Sequence, residues 1–400
     1  MAAPGLTRTD PPGTAPGDSA APFFYTAPAA IACAGAVLLV HGERALLDSW
    51  SPITMGLTHF ATLGFISMTG IGAFYRLAPA ELDQPAPGHR LALFAWIGFT
   101  LGVAALCVGL TQGLVVPVFV AIGALFPALA AFLLPAIRVI RSVRGHPAAG
   151  PWRLAIGSFF AVSALGVWVA HGHGGMEFPG PRSLWIQLHL SIALFGWVGA
   201  VATACLRARL ADCGVDVPQL VPFWSTLGGG SVLLCMLVLA VNYVGALDAT
   251  SETARVVGLI AAAPAAFATA IASAKWGFAG LACEPRDAIP RDEALLWRLA
   301  FALGPVTLVC AGLAIAIDDA MSRVMFGWIA IWGWAGTVGL ATLFSLAPPR
   351  MPGGPILGLH ALCLALGLGA TAMRSNALAL ATGVALIALA AMLIPRRRTA

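Results

Sequence analysis

His59 stands near the start of Met55 to Pro79, MGLTHFATLGFISMTGIGAFYRLAP, an apolar run that only this imidazole and Arg76 interrupt. The run is about long enough to cross a bilayer, and an imidazole inside such a segment is costly to bury without a partner. The partner is a hydrogen bond from a neighbouring helix, a metal ion or a haem iron, since neutral imidazole is the usual axial ligand for haem. Gly56, Gly64, Gly70, Gly72 and Ala73 let a second helix or a flat macrocycle approach closely. His189 occupies a comparable apolar run and carries the same alternatives. Between them, the segment HGHGGMEF places His171, His173 and Met176 within six residues. Two imidazoles and a thioether on flexible glycines suit a soft ion such as copper, and equally suit a plain polar loop. His360 stands alone in a later apolar run and reads as hydrogen-bonded within the bundle, whereas His89 and His146 fall in polar connections.

The elements that must position these side chains can be read from composition. The chain is 59% hydrophobic and 10% charged with a mean hydropathy of +0.89, far below the roughly one-quarter charged residues of a soluble domain. It is an all-α polytopic membrane protein by this reading, because the runs are about 20 residues long and lack the alternation of a barrel strand. Twelve transmembrane helices are expected, at 27–43, 53–78, 91–112, 114–135, 153–171, 184–206, 222–246, 255–275, 296–317, 324–347, 354–373 and 376–394. Residues 1–22 read as a disordered Pro- and Gly-rich tail, 23–395 as the membrane domain and 396–400 as a short basic tail. With both termini cytoplasmic, 17 basic residues fall in inner loops and 5 in outer ones, as the positive-inside rule requires. The location expected is a bacterial inner membrane, with the lipid bilayer as partner. The net charge of +5 is sorted by membrane side and gives no reason to expect nucleic acid. This topology puts His59, His189, His41, His171 and His173 toward the outer face.

Several classes of function lack their residues. There is no Walker loop, nucleotide fingerprint or Ser-His-Asp arrangement, and the eight cysteines show no CxxC spacing and read as small core residues. No carboxylate is expected in a span interior, since Glu43, Asp48, Glu177, Asp248 and Glu252 sit at span ends or in outer loops. That disfavours a proton-driven carrier. Asp318-Asp319 reads as the N-terminal cap of the tenth span, and the runs at Arg138 to Arg144 and Arg396 to Arg398 as topology anchors.

The chain also echoes itself. Aligning Gly64-Phe65 with Gly333-Trp334, an offset of 269, places Gly70 on Gly339 and Leu77-Ala78-Pro79 on Leu346-Ala347-Pro348, with Trp328 in the place of His59. The sixth span offers Gly196-Trp197 at the same position, with Ser191 in the place of His59 and His189 two residues earlier, about 200° around the helix. Spans 2, 6 and 10 being four apart, the fold expected is three pseudo-repeated four-helix arcs.

Twelve spans in three arcs, with a second-span histidine heading a glycine-rich helix that ends in YRLAP, resemble the haem-copper oxidase subunit I superfamily, in particular its shorter relatives. The resemblance implies that His59 matches a low-spin haem ligand, that His189 falls on a span supplying a copper ligand, and that other respiratory subunits are possible partners. It also implies histidines in the tenth span, where this chain has RVMFGWIAIWGWAGTVGLATLF, and in the seventh, which has no pair. A tyrosine common four residues after the sixth-span histidine is replaced by Ala193. Full oxygen-reducing activity is therefore not expected. The expectation is a haem-binding, oxidase-like protein of electron transfer or of small-gas (oxygen or nitric oxide) chemistry in respiration, with His59 and His189 as cofactor residues. The alternative is a cofactor-free transporter or respiratory-complex assembly factor on the same scaffold.

Overall fold

A computed structural model describes residues 18–143, 146, 148–172, 182–212, 289–317 and 319–395. Among these residues the protein is helical and has no β-strand. The helices are α1 (Ala21–His41), α2 (Pro52–Glu81), α3 (His89–Gln112), α4 (Val115–Ser142), α5 (Ala149–Gly172), α6 (182–212), α7 (Arg291–Ile317), α8 (Ala320–Leu346), α9 (Gly353–Met373) and α10 (Asn376–Met392). The first nine are long and apolar enough to cross a membrane, and α10 is shorter. They fall at ten of the twelve expected spans, α8 being the expected tenth. The expected spans 222–246 and 255–275 and the basic tail lie outside the described residues.

Local chemistry sets the helix ends. Ser51 caps α2, its hydroxyl accepting from the Thr54 N–H at 3.1 Å, and Pro52 supplies a preset φ at the first helical position. Gly113 closes α3 in the left-handed conformation (φ 66°), so that α4 folds back directly along α3. The capping of α8 by Asp319 is as expected, in a reciprocal box with Ser322. One boundary differs from expectation. The chain is ordered into packing from Asp18, which pairs with Arg76, and α1 begins at Ala21 instead of inside a loose tail. Phe23 and Phe24 explain this: both are buried, Phe24 packs on Gly72, and Arg76 lies 5.5 Å above the Phe24 ring.

Burial divides the helices into a centre and a periphery. Over their most apolar stretches α2, α6 and α8 are 72%, 78% and 78% buried, whereas α4, α7 and α9 are about 30%. The three central helices are in mutual contact, while Phe94, Leu101, Val116, Phe126 and Leu134 on α3 and α4 expose apolar surface suited to lipid. Each central helix contains one π-helical turn: Phe60–Ser67 in α2, Ile192–Val198 in α6 and Ile329–Ala335 in α8. The three turns begin at positions that the Gly64, Gly196, Gly333 alignment makes equivalent. His59, Ser191 and Trp328 are the residues immediately before them. A π turn inserts an extra residue and rotates the remainder of the helix, and it persists where packing uses that rotation. Here Trp197 lies over Gly70, where a methyl group would come 2.7 Å from its ring, and Phe65 lies over Gly339 at 2.9 Å.

The two ends of this three-helix centre are chemically unlike. At one end Arg207 of α6 pairs with Glu81 of α2, and Trp152 donates to the other Glu81 oxygen at 2.8 Å. Arg209, two residues on, reaches α7 instead, with Nε and a terminal nitrogen 2.6 and 2.8 Å from the two oxygens of Glu293. Ser345 of α8 donates to Glu293 at 2.6 Å, and Arg76 of α2 donates to the Leu346 carbonyl at 2.9 Å. Polar bonds thus run from α2 to α6, α7, α8 and back to α2. The opposite end carries His41, His59 and His189.

Candidate functional site

His59 sits on the last turn of ordinary helix before the α2 π turn. Its Nδ1 lies 2.7 Å from the Met55 carbonyl oxygen one turn back. Oxygen there can only accept, so Nδ1 carries the proton and Nε2 is left with the lone pair. A backbone carbonyl holding Nδ1–H is the usual way in which a ligating imidazole is oriented. The ring is half-buried.

His189, half-buried on α6, faces α5. Gly166 is opposite it, and a methyl group at Gly166 would meet His189 Cε1 at 3.2 Å, so that glycine makes the room the imidazole uses. The Val162 carbonyl approaches the ring, yet Nδ1 is buried with no hydrogen-bond partner among the described residues. The indoles of Trp168 and Trp185, 5.9 Å apart, stand on the same two helices. His59 and His189 each stand just before the π turn of their helix, at the same end of the three-helix centre.

The other candidates separate from this pair. His360 is buried on α9 and its Nε2 lies 2.9 Å from the Thr337 hydroxyl, the bundle hydrogen bond expected of it. His171 ends α5, and its partners in the copper-binding reading, His173 and Met176, lie outside the described residues. Among the described residues no three His, Cys, Asp or Glu side chains gather as a metal-binding group.

The haem implied by the resemblance can be tested against these residues. His59 fits as one axial ligand, with its lone pair on Nε2. The α8 counterpart does not. Trp328 is 3% exposed, its indole lies against Gly367 of α9 so closely that a methyl group there would overlap it, and Trp332 packs at 5.5 Å. An indole N–H donates only and cannot ligate iron. His59 therefore has a nitrogen lone pair with the chemistry of an iron ligand, whereas Trp328 supplies no matching ligand from α8.

Sequence reasoning missed the buried carboxylates. The second expected span stops at 78 and the ninth starts at 296, which leaves Glu81 and Glu293 outside the spans. Instead α2 runs through Glu81 and α7 starts at Arg291, so both are inside helices, and Glu293 is only 3% exposed. Arg76, Arg207 and Arg209, expected in basic inner loops, are their neighbours or partners in the interior. The usable signal is the Arg207–Arg209 spacing. Two residues on a helix differ by about 200°, so these guanidinium groups reach different neighbours.

No family model matches the chain, and no curated protein matches it.

Proposed function

We propose that the protein is an oxidase-like, haem-binding protein of a bacterial inner membrane, built of three four-helix arcs, in which His59 is a ligand to the iron and the second ligand is unassigned. The observation that carries this reading is the bond between His59 Nδ1 and the Met55 carbonyl, which fixes the tautomer with Nε2 available. The three equivalent π turns and the burial of α2, α6 and α8 support the arcs, with one central helix from each. When bound, a haem held through His59 would supply reversible binding of a small gas or transfer of one electron. The chain's own part is to hold the imidazole in one orientation, to exclude water with apolar helices, and to offer His189 as a second polar group nearby. Trp328 in place of a second ligand favours a gas-binding or electron-transfer role in respiration over oxygen reduction.

A second reading has its own observation. Trp328 seated on Gly367 and the contact of Gly35 with Gly383, where a methyl group would come 2.6 Å from a backbone oxygen, are what a cofactor-free transporter or assembly factor on this scaffold would need for a tight core. Purification with haem supplied separates the two. A Soret band that disappears in His59→Ala is expected for the haem protein. A colourless preparation transfers the argument to the second reading, which a proteoliposome flux assay then tests.

A further inference from the structure

Between α2, α6 and α8, at the C-terminal ends of the α2 and α6 π turns, lies a small cavity whose walls include Thr69, Gly70, Trp197, Val201, Gly339 and Thr342. It has room for about one water molecule. Its position is a consequence of how these helices pack. Trp197 lies over Gly70 and Phe65 over Gly339, contacts that bring the helices together, and the space left between them is lined by Ile66, Trp197, three valines, two glycines and two threonines. The walls are not uniformly apolar. Thr342 is 1% exposed and its hydroxyl has no partner within hydrogen-bonding distance and angle among the described residues, its polar neighbour there being the weakly accepting Cys205 thiol. Thr69 donates to the Phe65 carbonyl at 2.8 Å, which leaves its oxygen lone pairs able to accept.

An apolar cavity of this size stays dry, whereas one with an unsatisfied hydroxyl and a second acceptor in its wall retains water. We infer that this cavity is a specific site for one water molecule, or another hydrogen-bonding molecule of the same size, which accepts from Thr342 and donates to Thr69. The bound water joins α2 to α8 beside the α2–α6 link already made by Trp197 donating to the Ser67 hydroxyl at 3.1 Å. The site is independent of His59 and of any haem.

Hydroxyl-radical footprinting of the full chain in lipid nanodiscs tests it, because radiolysis of a bound water labels the side chains around it. Trp197 in the cavity wall is compared with Trp152, equally buried at the charged end. The expected result is stronger labelling of Trp197 than of Trp152. Thr342→Val, close in shape but without the hydroxyl, is expected to bring Trp197 down to the level of Trp152, while Thr342→Ser keeps it raised. Trp197 labelled no more than Trp152 in the unmodified protein overturns the site. So does Trp197 labelling that persists in Thr342→Val.

Discussion

The charged end of the central helices and the histidine end both gather polar groups inside an apolar bundle, and they differ in how fully those groups are satisfied. At the charged end Glu293 receives two bonds from Arg209 and one from Ser345, and Glu81 receives Arg207 and Trp152. At the histidine end His59 uses one nitrogen and His189 has a buried Nδ1 without a partner among the described residues. The two carboxylates are fully paired and fix geometry, although Arg207 Nε at the same end is buried without a hydrogen-bond partner among the described residues. Half-satisfied groups are a cost that folding alone gives no reason to retain. Under the proposed function the contrast makes the histidine end the place for ligand chemistry, and mutations can break it from either side.

The largest effect is expected at the charged end. Arg209→Met leaves the Glu293 carboxylate buried and unpaired, and removal of one partner of a buried pair costs about 3–5 kcal/mol. Thermal unfolding in detergent should show it as a fall in melting temperature. Glu293→Leu combined with Arg209→Leu should recover much of the loss, because an apolar pair of similar volume often replaces a buried ion pair without penalty. A double variant no better than Arg209→Met would mean that the charges do more than hold helices.

Next comes the fit of Trp328. Gly367→Ala pushes a methyl group into the indole, and overpacking of this kind costs about 1–3 kcal/mol. Trp328→Ala in the same background should remove the clash. If Gly367→Ala is silent in the melting curve, Trp328 is not held as tightly as its burial indicates, and room for a macrocycle beside α8 must be reconsidered.

At the histidine end the expected effect on stability is smaller. His59→Ala loses one local hydrogen bond, about 1 kcal/mol. Its consequence should appear instead in the Soret band of haem-supplied protein, with the melting temperature of the haem-free form little changed. The reverse pattern, a large loss of stability and no spectral change, would make His59 a structural residue like His360 and erase the contrast between the two ends.

What could be read from the sequence divides along similar lines. Ten helices were legible because bilayer-length apolar runs are set by hydrophobic composition alone. His360 and Asp319 were legible because one imidazole in a bundle and one carboxylate before a helix each have a single cheap solution. Glu81, Glu293, Arg207 and Arg209 were not, because a charge near the end of an apolar run looks the same whether it faces water or a partner on another helix. Only the fold brings α6 between α2 and α7. The π turns left no trace in composition. The glycine–aromatic echo marked their positions without showing that an extra residue was accommodated there. Trp328 takes the place of His59 in the alignment, but its seat on Gly367 of α9 depends on a contact between helices that the alignment does not relate.

The smallest expected effect sharpens the comparison at the N-terminus of α8, outside the span. The Asp319 carboxylate accepts from the Ser322 N–H at 2.6 Å, and this bond holds its pKa below the ordinary carboxylate value of 3.8. A carboxyl whose pKa is lower folded than unfolded stabilises the folded state above the unfolded value and loses that contribution as pH falls through the folded one. The melting temperature of Asp319→Ala should therefore lie slightly below that of the unmodified protein near neutral pH, with the gap closing only below about pH 3.8. If the gap persists unchanged well below pH 3.8 instead, the charged carboxylate is not what stabilises this end of α8, and its cap differs from the paired carboxylates of the charged end.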